Sequence, residues 1–453
     1  MKPIQVGVLG IGTVGTGVFE VLRRNQEEIR HRAGRGIEIV AVSRRDRARA
    51  REIVGDSARV VEDPRDIVRN PGIDIVVELI GGCTLARELV LEAIAAGKHV
   101  VTANKALLAV HGTEIFEAAH KKGVMVAFEA AVAGGIPIIK ALREGLTANS
   151  IQWLAGIING TTNFILSEMR DKGLDFDVVL KEAQRLGYAE ADPTFDIEGV
   201  DAAHKATLMS AIAFGIPVQF DKAYVEGITK LGARDIRYAE QLGYRIKLLG
   251  IAKRRGGTGA TSGEVSGIEL RVHPSLVPAK RLIANVEGAM NAVMVQGDAV
   301  GTTLYYGKGA GSEPTASAVI ADLVDIARLH TADPGHRVPH LAFQPDAVLS
   351  NGGDLPVLPM AETVTSYYLR LRVADQAGVL AKVTGLLAEA GISIDAVLQR
   401  EADEVAGEGA TQTDVIILTH DTREGAIDGV IAQMQALPTV LAPIVRIRKE
   451  ELA

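Results

Sequence analysis

Ile4-Gln5-Val6-Gly7-Val8-Leu9-Gly10-Ile11-Gly12-Thr13-Val14-Gly15 decides the fold class. An apolar run ends in Gly-x-Gly-x-x-Gly, and Val18, Val21 and Leu22 follow at helical spacing. Strand, tight turn and helix in this order open a dinucleotide-binding βαβ unit. Gly10 serves the turn, Gly12 lets the backbone approach a pyrophosphate, and Gly15 lets the helix sit close to the sheet. Free N–H groups across Gly12, Thr13, Val14 and Gly15, at the positive end of the helix dipole, suit phosphate. The glycines alone are a weak signal; their place directly after a strand gives them weight.

The alternation continues outward from this turn. Ile37–Val42 reads as a strand, and Ile73–Ile80 reads as a buried strand that ends in Gly81-Gly82. A helix over Leu85–Ala96 closes at Gly97, and His99–Thr102 and Val124–Phe128 read as further strands. Continuous apolar strands alternating with helices mean a parallel sheet wound on both faces. Its ligands gather at the carboxyl ends of the strands. The middle of the chain places helices over Thr161–Arg170, Asp177–Leu186 and Val200–Ala213 before strands at Ile246–Ala252, Gly267–Val272 and Ala289–Gln296. The Gly-rich run Gly307–Gly311 then starts a helix over Pro314–Arg328, and Gly307 is counted with the cofactor site. From Thr363 the pattern is strand, helix, strand, strand, helix, strand, a ferredoxin-like plan. The chain is therefore read as α/β: a Rossmann-type doubly wound domain over 1–135, completed by 307–330; an α+β substrate-binding and dimerisation domain over 136–306; a linker over 331–361; and a βαββαβ unit over 362–453.

Composition narrows the function. The 453 residues are 47% apolar and 23% charged, which are globular values, and allow about three domains. A net charge of −7 speaks against a nucleic-acid partner. The single cysteine, Cys83, excludes an intrachain disulfide framework and a Cys-rich zinc site, which suits a reducing cytoplasm. Cys83 reads as a small buried residue, and His99, His204 and His273 as structural. No uncharged apolar run reaches membrane-spanning length, and a strand signal at the N-terminus leaves no place for a signal peptide.

The second strand ends Val42-Ser43-Arg44-Arg45, where NAD-binding versions carry an acid for the ribose hydroxyls. A guanidinium forks onto a 2′-phosphate that an acid would repel, so NADP is favoured. Asp46 lies close enough to keep NAD open. Within Arg44–Arg51 only Arg44 is assigned to the cofactor, and the others form a solvated face.

Four segments carry the chemistry. Val100–Leu107 brings Lys105 from a strand end toward the nicotinamide end of the cofactor site. Gly156–Asn163 is a strand running into a helix start, where Asn159, Gly160, Thr161 and Thr162 offer N–H and hydroxyl donors to a substrate carboxylate. Leu186–Pro193 includes Glu190. Asp196–Lys205 places Asp201 and Lys205 one helical turn apart on one face. Together with the glycine turn, these segments resemble homoserine dehydrogenase. Glu129–Pro137 and Gly309–Ala316 resemble the same family, and Asp375–Leu380 makes the terminal unit resemble the ACT amino-acid-sensing domain.

The resemblance implies interconversion of L-homoserine and L-aspartate 4-semialdehyde with NADP or NAD, on the route to threonine, isoleucine and methionine. It implies Lys205 as the acid/base, Lys105 as a second lysine touching substrate and nicotinamide, and Glu190 as the acidic substrate ligand. It also implies a monovalent cation site, usually sodium, at Glu129 and the backbone carbonyls of Val132, Gly134 and Ile136. The ACT likeness implies threonine feedback at a turn containing Asp375, Gly378 and Val379, and edge-to-edge pairing into a homodimer or dimer of dimers.

The chemistry agrees with these roles. A lysine ammonium stabilises the charge that grows on an aldehyde oxygen as hydride arrives, and hands over its proton. In the reverse direction it must be neutral, a condition that a nearby cation such as Lys105 favours. Asp201 orients Lys205, and Glu190 takes the substrate amino group. A related amino-acid aldehyde oxidoreductase and a non-catalytic amino-acid and nucleotide sensor remain the alternatives. Two departures from the family stand out: Leu85 where proline is frequent, which puts a cofactor contact there in doubt, and an acidic insertion over 401–409, expected as a hairpin.

Overall fold

The computed structural model describes residues 2–256, 266–344, 355–399 and 411–452, so the hairpin expected over 401–409 lies outside the described residues. Strands β1 (Ile4–Leu9), β2 (Ile37–Ser43), β3 (Arg59–Val61), β4 (Ile75–Glu78), β5 (His99–Thr102) and β6 (Val126–Ala127) form a parallel sheet in the order β3-β2-β1-β4-β5-β6. The strand order reverses between β1 and β4, so their carboxyl ends open a crevice. All four residues of β4 are buried, as helices on both faces require.

Two strands are shorter than their apolar runs. β4 stops at Glu78 because the chain turns away through Gly81 (φ +77°) and Gly82 (φ +72°). Around β6 the flanking N–H groups are spent elsewhere: Val124 donates to the Ala119 carbonyl and Met125 to His99 Nδ1.

The helix Ser312–Leu329 returns to this first layer. Its Ala316, Val319, Leu323 and Ile326 share one buried cluster with Ile4, Val6 and Val18. Ser312 Oγ donates to the Thr13 carbonyl at 2.8 Å. A side chain at Gly17 would strike Ser312, so the close approach of the two helices depends on that glycine. Gly307 and Lys308 end a strand of the second sheet, and the return begins at Ser312.

That second sheet is built from β7 (Ile151–Ile157), β8 (Tyr224–Val225), β9 (Tyr244–Arg255), β10 (Gly267–Pro278), β11 (Met290–Gly297), β12 (Gly301–Lys308), β13 (Val364–Ala374), β14 (Ile394–Gln399), β15 (Gln412–Thr419), β16 (Thr422–Arg423) and β17 (Val445–Lys449). Its main path runs β12-β11-β7-β9-β10-β17-β13-β15-β14. The middle and terminal units therefore share one sheet, joined by parallel pairing of Ser275 with Arg448 and Leu276 with Lys449. The expected linker is partly used as well. Ile268 exchanges backbone hydrogen bonds with Pro356 and Leu358, both at 2.8 Å.

Buried ion pairs fasten the terminal unit. Asp235, fully buried at the start of the helix Ala233–Gln241, accepts from Arg370 Nε at 2.6 Å, Arg370 Nη2 at 3.0 Å and Tyr368 Oη at 3.1 Å. Its carboxylate also accepts the N–H of Gly232. No helix among the described residues is long and apolar enough to cross a membrane.

Removing one partner of a buried pair strands the other. Asp235→Ala is expected to lower unfolding free energy by about 3–5 kcal/mol in urea denaturation followed by circular dichroism. A loss below about 1 kcal/mol, the range of an exposed pair, would contradict this reading.

Candidate active site

The glycine turn meets the geometric demands of a phosphate cradle. Gly10 lies at φ +96°, and a Cβ there would sit 2.8 Å from the Leu79 carbonyl. A Cβ at Gly15 would collide with the Gly10 carbonyl, whereas one at Gly12 meets nothing within 4 Å. Space therefore opens above Gly12 at the start of the helix Thr13–Arg24, whose first N–H groups receive no side-chain cap. These features fit a bound pyrophosphate. Arg44 folds back over the turn and donates to the Ile11 carbonyl at 2.6 Å. Asp46 is occupied as a helix cap and accepts the Arg49 N–H. Arg47 and Arg49 pair on the surface with Glu62 and Glu52.

The mouth of this cradle is held by Glu78, an acid inside an apolar run and fully buried. Its Oε1 accepts the N–H groups of Ile80 and Gly81 at 2.9 and 3.1 Å, and its Oε2 accepts the Thr102 hydroxyl at 2.7 Å. Thr102 Oγ1 accepts the Asn104 N–H, and Asn104 caps the helix Lys105–Lys122 through the Leu107 N–H. This chain of contacts fixes Lys105 at the first position of its helix. Cys83 is half-buried at the start of the preceding helix, Thr84–Ala95, rather than in the core. Leu85 beside it is exposed.

Lys105 meets the middle unit at Asp201. Its Nζ lies 3.1 Å from Asp201 Oδ1, and Lys205 Nζ lies 2.6 Å from Asp201 Oδ2. Lys205 also donates to the Ile158 carbonyl at 2.8 Å. Both Asp201 and Lys205 sit on the helix Val200–Phe214, which starts after Gly199 (φ +84°) and is buried from Asp201 to Phe214. Asn159 caps the helix Gly160–Lys172, with Oδ1 accepting the Thr162 N–H, and its Nδ2 donates to Asp201 at 2.8 Å and Asp196 at 2.7 Å. The Thr161 hydroxyl bridges Asp196 and the Tyr188 carbonyl. That second contact ties the Tyr188–Glu190 loop to this site. Glu190 is exposed, and its carbonyl accepts from Gln184.

Asp196 joins this site although its sequence context does not single it out. Its signal was faint: an acid five residues before Asp201, with its main partner 37 residues away at Asn159.

Electrostatics follow from this crowding. Burial drives the Lys205 pKa below its ordinary value; Asp201 opposes and Lys105 reinforces the shift. Burial acts to raise Asp201, yet Lys205, Lys105 and the hydrogen bonds outweigh it and hold the carboxyl below the usual range. One carboxylate thus serves two ammonium groups, so each lysine feels the other's repulsion. Asp196 moves up through burial and the nearby Asp201 charge. His204, packed between Phe195 and Phe220, is lowered to about 4 by burial and stays neutral.

The loop after β6 carries two successive left-handed residues, Ala133 (φ +55°) and Gly134 (φ +51°). A side chain at Gly134 would strike the Gly309 carbonyl. The Glu129 carboxylate accepts the N–H groups of Ile139 at 2.9 Å and Lys140 at 2.7 Å, so it caps the next helical turn. Burial raises its pKa to about 7. Among the described residues, no group of three or more His, Cys, Asp or Glu side chains is placed to hold a metal. In the terminal unit, Asp375 and Gly378 (φ +87°) lie exposed before the helix Val379–Glu389, and Val379 is buried.

Comparisons with known proteins identify the family. A family model described as the NAD-binding domain of homoserine dehydrogenase matches residues 10–129, one described as homoserine dehydrogenase matches 137–324, and an ACT domain model matches 367–438. The homoserine dehydrogenase of Pseudomonas aeruginosa is 60% identical, with all of both chains covered. The crystal structure of a homoserine dehydrogenase from Thiobacillus denitrificans is 64% identical, covers 100% of this chain and 99% of its own, and superposes with a TM-score of 0.92. A hyperthermophilic archaeal homoserine dehydrogenase in complex with NADPH is 25% identical, covers 73% of this chain and 99% of its own, and gives a TM-score of 0.60. The chain belongs to the homoserine dehydrogenase family and carries a C-terminal ACT domain.

Proposed function

We propose that Lys205 is the acid/base of this oxidoreductase, exchanging the proton of the homoserine hydroxyl, whose oxygen becomes the aldehyde oxygen of aspartate 4-semialdehyde. The observation that carries this is the buried Asp201 carboxylate gripping both Lys205 and Lys105. When bound, the nicotinamide supplies or accepts the hydride. Lys205 gives a proton to the nascent alkoxide in reduction and removes one from the alcohol in oxidation. Burial and Lys105 favour its neutral form, which oxidation needs. Asp201 keeps the ammonium aimed. The turn Asn159, Gly160, Thr161 and Thr162 receives the substrate carboxylate, and Glu190, with Asp196, receives the amino group. This division is supported by the Thr161 hydroxyl, which ties the Glu190 loop to that turn.

The cofactor reading is NADP over NAD, with contacts from Gly10, Gly12, Thr13, Val14, Gly15, Arg44, Lys105 and Gly307. Two facts support it: Arg44 lies over the glycine turn, and Asp46 is spent as a cap. The NADPH complex of the archaeal relative points the same way. A monovalent cation, sodium by family likeness, sits at Glu129 and the carbonyls of Val132, Gly134 and Ile136. The left-handed pair Ala133-Gly134 supports this by turning the loop sharply among those carbonyls. Threonine is the proposed effector at Asp375, Gly378 and Val379, and the chain works as a cytoplasmic homodimer or dimer of dimers. The functional units are 1–135, 136–306, 331–361 and 362–453, and the segment that completes the first unit within 307–330 is its helix from Ser312.

Lys205→Met is expected to cut turnover by about 10²- to 10⁴-fold while the cofactor dissociation constant moves little. Turnover is read in steady-state homoserine oxidation and binding by fluorescence titration; parental turnover would refute the assignment. In the same assay, Lys105→Met removes a cation that depresses Lys205. The pKa of Lys205 then rises, less of it is neutral at any given pH, and the ascending limb of kcat against pH for oxidation moves to higher pH. A shift to lower pH would show that Lys105 does not act on Lys205 in this way. Arg44→Ala is expected to raise KM for NADP about tenfold or more, the loss of a charged hydrogen bond, and to leave KM for NAD nearly unchanged. Equal changes for both cofactors would exclude Arg44 as the 2′-phosphate ligand.

A further inference from the structure

We propose that Arg448, on the last strand of the ACT unit, is a positioning residue for the turn from Asp196 to Gly199, which leads into the helix of Asp201 and Lys205. Arg448 is fully buried. Its Nη1 donates to Glu226 Oε2 at 2.7 Å, its Nη2 to Tyr224 Oη at 2.9 Å, and its Nε to Glu424 Oε2 at 2.9 Å. Its guanidinium carbon lies 4.8 Å from the centre of the Tyr224 ring, and Tyr224 Oη donates to Glu226 Oε2 at 2.7 Å. An ACT side chain therefore grips β8 and the residue after it, both of which belong to the middle unit.

What β8 leads into is the wall behind the active site. The Glu226 N–H donates to the Val272 carbonyl on β10, which fixes the level of the strand. The next residue, Gly227, lies so close to Ile197 and Glu198 that a Cβ would strike the Ile197 carbonyl. Ile228 then donates its N–H to that same carbonyl at 2.9 Å, and Thr229 Oγ1 donates to Glu198 Oε1 at 3.1 Å. Gly199, which starts the helix of Asp201 and Lys205, faces Val225, Val272 and the Glu226 carbonyl with no room to spare. Ile197, Glu198 and Gly199 are the residues between Asp196 and that helix.

Each step from Arg448 to Gly199 is thus a direct contact: Tyr224 to Gly227 are half-buried, Ile228, Ile197 and Gly199 are buried, and only the Thr229–Glu198 bond lies at the surface. Close packing at the buried steps transmits displacement rather than absorbing it. Arg448 itself resists movement, because losing either carboxylate would leave charge uncompensated in a buried setting. Arg446 adds a longer contact to Glu226 at 3.9 Å and pairs with Glu424, and His273 packs against the same tyrosine.

The proposal rests on the assignment of Asp196, Asp201 and Lys205 to the substrate. The test uses the full-length enzyme and three variants, with stability followed by thermal unfolding. Arg448→Met is expected to lower kcat/KM for homoserine about ten- to a hundredfold and to hold KM for NADP within about twofold, because the displaced turn belongs to the substrate and not to the glycine cradle. Glu226→Gln keeps the volume and leaves Arg448 paired with Glu424; it is expected to lower the same constant, and it decides the matter if Arg448→Met does not fold. Arg370→Met breaks the separate attachment at Asp235, so it costs stability at the same junction while homoserine kinetics stay parental. A folded Arg448→Met or Glu226→Gln enzyme with parental kcat/KM overturns the proposal. So does an equal loss in Arg370→Met, which would mean general loosening. Failure of the underlying site assignment looks different: Lys205→Met would then keep its turnover.

Discussion

The site depends on one shared carboxylate. Asp201 is buried on a buried helix, yet it carries charge because two ammonium groups reach it from different units. Lys205 comes from its own helix, and Lys105 from the carboxyl edge of the parallel sheet. Taking a carboxylate out of water is costly unless its hydrogen bonds are made and its charge is met. Asp201 satisfies that condition only when the two units are docked with Asn159 alongside. The same interaction that pays for burying the acid also sets the spacing between the carboxyl edge of the parallel sheet and the Asn159–Thr162 turn. Remote parts of the molecule matter to the extent that they hold that docking.

Much of the fold was legible because its determinants are local. The tasks of Gly10 and Gly15 are set by backbone atoms a few residues away or on the adjoining strand, and the collisions that a side chain would make there bear out the reading. The pairing of Asp201 with Lys205 follows from helical spacing alone. The βαββαβ plan of the terminal unit follows from alternation and length, and its elements keep that order, with the two-residue β16 added before the second helix. Strand ends were less legible. Val124 and Phe128 look like strand residues, but whether a residue pairs depends on where its N–H goes, and the N–H of Val124 goes to a helix end.

Long-range electrostatics were not legible. Arg446 and Arg448 alternate with Val445 and Ile447 as the polar face of a half-exposed strand should. Nothing in that pattern says that Arg448 is fully buried, because its partners Glu226 and Tyr224 stand 222 and 224 positions away. Asp235 resembles an ordinary acid in a helix's first turn until Arg370 arrives from the ACT unit. Edge strands were also hard to see. β12 mixes small, polar and aromatic residues, since an edge with partial exposure imposes no strict pattern.

The shared sheet changes what the ACT unit is in this chain. A ferredoxin-like sheet has two free edges, and an exposed edge invites pairing. Here β17 is taken by β10 of the middle unit, which leaves β14 as the outer edge of the terminal unit among the described residues. Attachment through strand pairing and buried ion pairs is stiffer than attachment through a linker, because each buried charge must keep its partner. Any change of shape in the terminal unit must therefore either break such pairs or carry β10, and β8 beside it, along. The second course costs less wherever the interior is tightly packed, and that is the direction in which Asp201 lies.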